Sequence, residues 1–118
     1  MAKRSEKREQ YLDDVLTAAI DGINYWVDEW IEIDLDKSGN SSSDWRYRFA
    51  TFVDIEGDTY TINHDTIAKG LGFVTRRNAE RDKELILNNR TNGDDGDHDA
   101  LDADKVVQFA LFGSLVYA

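Results

Sequence analysis

YWVDEWIEIDLD, residues 25–36, is the stretch whose pattern sets the fold class. Tyr25, Val27, Ile31, Ile33 and Leu35 fall on alternate positions, with Asp28, Glu32, Asp34 and Asp36 between them. A period of two with apolar and acidic sides is the mark of a half-buried strand. Trp26 and Trp30 fall on the acidic side, so that side meets something as well.

Toward the C-terminus, residues 36–44 form a soft loop rich in Ser and Gly, and alternation resumes over Arg46–Ile55. There Tyr47, Phe49, Thr51, Val53 and Ile55 share one side. Glu56-Gly57-Asp58 reads as a turn into a short strand, Thr59–Ile62. Together these predict a three-stranded antiparallel meander. Toward the N-terminus the period changes. Tyr11, Leu12, Val15, Leu16, Ala19, Ile20 and Ile23 line one face of a helix over residues 5–21. Ser5 is placed as its N-cap and Gly22 as a left-handed stop. The basic residues Lys3, Arg4, Lys7 and Arg8 make residues 1–8 a frayed, solvated tail.

Beyond the meander, Asn63 caps a helix from His64 to about Leu71, ended by Gly70 and Gly72. Residues 76–90 read as a charge-laced helix, and 91–100 as a mobile acidic loop. Asp102 or Asp104 caps an almost wholly apolar segment, Lys105–Tyr117, expected to be buried on all sides. The fold class is α+β: an N-terminal helix, a three-stranded antiparallel meander and C-terminal helices packed on one face of the sheet. Residues 1–118 read as a single domain.

Charge narrows the function. The chain carries 24 acids against 14 Lys and Arg, a net charge of −10 over 118 residues, and 17 of the acids are Asp. Such a field repels phosphate and anionic membrane and attracts cations or basic proteins; selection for solubility alone gives the same composition. The 41% hydrophobic content argues for a folded chain. With no Cys, thiolate metal sites and a cysteine nucleophile are excluded. Neither a signal sequence nor a long apolar span is present, so the reading is a soluble cytoplasmic protein.

The motifs fall short of catalysis. Asp34–Asn40 matches the first half of a calcium-binding EF-hand loop, but Trp45 stands where the bidentate Glu belongs. Asp54, Glu56 and Asp58 flank one turn without a lysine partner to complete a hydrolytic metal site. His64 and His98 lack metal-pair spacing. Residues 66–81 resemble a helix-turn-helix, with Ala68 and Gly72 in place, yet Asn78 and Arg81 occupy anchor positions. No catalytic residue, metal site or cofactor is expected. The candidate partner-binding residues are Asp28, Glu32, Asp34, Asp36 and Asp44, with Trp30 and Trp45 beside them, and Asp94, Asp95, Asp97 and Asp99. Tryptophan beside acids on a hairpin is the composition of a binding edge.

Three stretches carry a resemblance: DVLTAAIDGINYW over residues 14–26, DTIAKGL over 65–71 and VQFALFGSLVY over 107–117. In this arrangement the chain resembles small uncharacterised proteins encoded by actinobacterial phages and related mobile elements. The resemblance implies an accessory protein that binds a basic, nucleic-acid-handling host protein, as an anti-CRISPR-like inhibitor of a defence nuclease complex would. Its carboxylates would stand in for phosphates, without direct nucleic-acid or membrane binding. The alternatives are a DNA-associated regulator using residues 66–81, and a homodimer formed through the Trp-bearing sheet face.

Overall fold

In a computed structural model that describes residues 4–36, 46–77, 83–94 and 99–118, the helix expected at the N-terminus is α1, Glu6–Gly22. Ser5 Oγ accepts from the Arg8 amide at 3.1 Å, satisfying one of the first-turn donors that a helix leaves unpaired. Ser5 to Arg8 thus form the capped first turn of α1. Arg8 reaches the end of a later helix, donating to Asn89 O, Asn89 Oδ1 and Asn92 Oδ1, and its guanidinium lies over the Tyr11 ring. Tyr11, Leu12, Val15, Leu16 and Ala19 are buried as the helical period requires. A 3-10 turn, Asn24–Trp26, leads into the sheet.

The meander forms as expected. β1 (Val27–Asp36), β2 (Arg46–Asp54) and β3 (Thr59–Asn63) lie antiparallel in the order β1-β2-β3. The expected sides hold only in part: Val27 and Tyr47 pack against the core and Ile33 pairs with Ala50 on the buried side, but β2 is reversed from Phe49 onward and Trp30 joins the buried side of β1. Ala50 and Phe52 are fully buried, Trp30 is paired with Phe52, and Ile62 is paired with Ala50. Ile31 and Ile33 are 54% and 40% exposed. Two causes combine. Bulges at Asp28 and Ile31 break the alternation of β1, and one at Arg48 breaks that of β2, so parity cannot be carried through either strand. Aromatic rings also bury more apolar area than isoleucine. Trp26 is fully buried, meeting Phe52 edge-on at 5.5 Å and stacking on Tyr117 at 4.8 Å.

α2 spans His64–Arg77, α3 Lys83–Thr91 and α4 Ala100–Phe112. Asn63 and Thr66 exchange hydrogen bonds at the start of α2. The stop expected at Gly70 and Gly72 is absent, and α2 runs through both. Gly70 is there for space: a Cβ would sit 2.0 Å from the Val106 carbonyl oxygen of α4. Gly22 serves the same end, 2.1 Å by that measure from the Ala100 oxygen. The turn that a helix-turn-helix needs at Gly72 is thus continuous helix.

α4 begins and ends earlier than its apolar run implied. Asp99 is its N-cap, and Gly113, at φ 72°, ends it in the left-handed conformation. The last five residues fold back along the helix. Gln108 holds them: its Oε1 accepts from the Val116 and Tyr117 amides at 2.7 and 2.8 Å, and its Nε2 donates to Tyr117 O. α4 lies against α1 and α2, and the helices cover one face of the sheet. Among the described residues no helix is long and apolar enough to cross a membrane.

Candidate protein-binding surface

Among the described residues β1 is an edge strand, with β2 on one side and no strand on the other. Asp28, Glu29 and Glu32 are exposed along it, and Asp34 is half-buried. Asp34 accepts from Arg48 Nε at 2.6 Å, an ion pair across the hairpin. Among the described residues no cation pairs with Asp28, Glu29 or Glu32. Exposed Ile31 and Ile33 lie between these acids. Acidic and exposed apolar residues thus follow one another along the edge, with Glu32 and Ile33 on opposite sides of the sheet, which combines a steering field with surface that gains from burial.

The remaining expected contact residues are scattered. Asp36 closes β1. Trp30 is not a free anchor: it packs edge-on against Phe52 at 5.4 Å and donates from Nε1 to Asn24 Oδ1 at 3.1 Å. Asp44, Trp45, Asp95 and Asp97 lie outside the described residues, as do Lys37–Asn40 of the calcium-like loop. Asp94 pairs with Lys7 of α1. Asp99 accepts from the Asp102 amide at 2.9 Å while Asp102 accepts from the Asp99 amide, a reciprocal capping box. Asp94, Asp99 and Asp102 therefore serve the ends of helices. Each accepts from a donor of the same chain, although Asp94 and Asp99 remain exposed.

Three acids are buried, Asp13, Asp54 and Asp104, and sequence reasoning missed the roles of the last two. Asp104, 6% exposed, accepts from Trp26 Nε1 at 2.8 Å, Tyr25 Oη at 2.7 Å and Gln108 Nε2 at 2.9 Å. Asp54, 2% exposed, accepts from the Glu56 and Asp58 amides and from Tyr117 Oη at 3.0 Å. A buried carboxylate is tolerable when its oxygens meet this many donors. The phenols feel the arrangement too. Burial, then the hydrogen bond to its carboxylate, pushes each phenol up to about 12: Tyr25 on Asp104 and Tyr117 on Asp54. Asp54 is therefore a turn-and-tail anchor, not one member of an open metal triad. The i, i+4 spacing of Asp104 and Gln108 was the available signal for the first of these networks.

A second polar junction joins α1 to the start of α2. His64 Nδ1 lies 2.8 Å from Glu9 Oε2, and Nε2 contacts Asp13. An open depression beside it is lined by Arg4, Arg48, Asn63, His64 and Asp65. Its cations are engaged: Arg4 pairs with Asp65 at 2.9 Å and lies 3.8 Å from Glu9, and Arg48 pairs with Asp34. Among the described residues no group of three or more His, Asp or Glu side chains is placed to hold a metal ion. Among the described residues, the β1 edge is a surface where three exposed acids, Asp28, Glu29 and Glu32, stand close together in sequence without a cation.

No protein family, curated protein or solved structure matches the chain.

Proposed function

We propose that the protein is a non-enzymatic accessory protein of phage or mobile-element origin that binds a basic, nucleic-acid-handling host protein. In this reading it inhibits a host defence nuclease complex by setting carboxylates where phosphates would lie. One observation carries the reading: Asp28, Glu29 and Glu32, without a cation among the described residues, follow one another with exposed Ile31 and Ile33 along an edge strand of a chain of net charge −10. Carboxylates on a strand are already ordered, so less conformational entropy is lost on binding than with a flexible polyanion. Like charge of this density repels nucleic acid itself and speeds encounter with a basic groove. The interspersed isoleucines supply apolar area that a phosphate backbone lacks.

The test is capture of partners from host lysate by the tagged protein, followed by purification of the partner. The expected partner carries nucleic acid in a basic channel, is released at high salt, and loses its nucleic acid when this protein is added. Simultaneous binding of nucleic acid and this protein, each without effect on the other, would contradict the mimicry.

A further inference from the structure

We infer that β1 engages its basic partner by strand addition: an extended segment alternating Lys or Arg with apolar residues pairs with the open edge of β1. The inference rests on the reading of β1 as the partner-binding surface and concerns the manner of binding. β1, at ten residues, is an edge strand. β3, the opposite edge, has five residues and passes directly into α2. An edge strand leaves alternate N–H and C=O groups pointing outward, and an extended peptide can satisfy them.

The geometry of β1 indicates where. Its own bulges, at Asp28 and Ile31, are confined to the first half. From Glu32 to Asp36 its residues pair consecutively with β2, and the one skip in that stretch belongs to Arg48 of β2. The backbone of β1 therefore keeps a strand's period over Glu32–Asp36. Side chains alternate there, Glu32 and Asp34 to one side and Ile33 to the other, so an added strand meets acids and an exposed isoleucine in turn.

Charge selects the occupant. If a second copy paired antiparallel with Ile33 opposite Ile33, Glu32 of each copy would stand across from Asp34 of the other. Like charges directly opposite destabilise a strand pair, whereas a basic residue opposite each acid stabilises it. The same acids that disfavour a β1-to-β1 homodimer favour a basic strand.

The experiment titrates the full-length protein with a short peptide alternating lysine and valine, and with the same peptide N-methylated at alternate amides along one edge. Two peptides methylated in the two possible phases cover both edges. Calorimetry reads affinity and hydrogen exchange reads the β1 amides. Strand addition predicts binding of the parent peptide, protection of amides within residues 32–36, and a loss of about tenfold or more for one methylated phase, as expected for the removal of backbone hydrogen bonds. Equal binding of all three peptides would overturn strand addition while leaving charge-driven capture of a basic partner standing. Absence of binding by all three would also overturn it, and the lysate capture would then judge the broader reading separately.

Discussion

Asp104 and Glu32 carry the same charge, yet one belongs to the core and the other to the surroundings. Asp104 sits beneath Trp26, Tyr25 and Gln108, with every donor supplied by the chain. Glu32 stands exposed on β1, without a cation among the described residues. Between these extremes lie Asp94 and Asp99, exposed but committed to Lys7 and to the start of α4. Net charge is one number for all of them. The lesson is that an acidic composition divides according to which donors face each carboxylate, and only the undivided remainder is available to a partner.

The contrast breaks most visibly at Asp104. Asp104→Ala leaves the indole and amide donors without their acceptor in a buried site, at a cost of about 3 kcal/mol; chemical denaturation measures it. A loss within the noise of surface substitutions would mean that the network is ornamental. The phenols give a second break. Tyr25 and Tyr117 have folded-state values near 12 against about 10 in an unfolded chain. A raised value contributes stability that is complete below pH 10 and is lost as pH rises toward 12. The melting temperature is expected to fall across that window, and Tyr117→Phe should shrink the part of the fall due to its phenol.

A smaller effect is expected at the capping box. Asp99→Ala costs about 1 kcal/mol, and Asp99→Asn much less, because asparagine also caps. The smallest effect on stability falls on β1. Glu32→Gln and Asp28→Asn should each stay within about 0.5 kcal/mol, as surface substitutions away from specific contacts do. Their effect should appear instead in the salt dependence of partner binding.

The layout of the fold was legible because it rests on local rules. The helical stripe Tyr11–Ala19, the Ser5 cap and the turn before β3 are all set within a few residues of themselves. What was not legible depends on distant neighbours. Bulges at Asp28, Ile31 and Arg48 shift parity without any mark in composition, so Trp30 and the run of β2 from Phe49 onward fell on the wrong side while Val27, Ile33 and Tyr47 kept theirs. Gly70 read as a helix stop, yet α2 runs through it; Gly22 does end α1, but without a left-handed φ, and both make room for the backbone of α4. The surface itself was half legible. The acids of β1 were visible as a cluster, but Asp94 and Asp99 were counted as free because Lys7 is remote in sequence and because a capping box and an acidic loop share a composition.

The central claim is that the unpaired acids of β1, and not the net charge as such, bind the partner. The most direct measurement compares two variants of equal net charge: Asp28→Asn, Glu29→Gln and Glu32→Gln together, and a control that neutralises exposed Glu6, Asp14 and Glu84 on the helices. Calorimetric titration against the captured basic protein, with thermal melts to show that both variants fold, is expected to find binding lost in the β1 variant and retained in the control. Equal weakening of both variants would contradict the claim and leave only a nonspecific field.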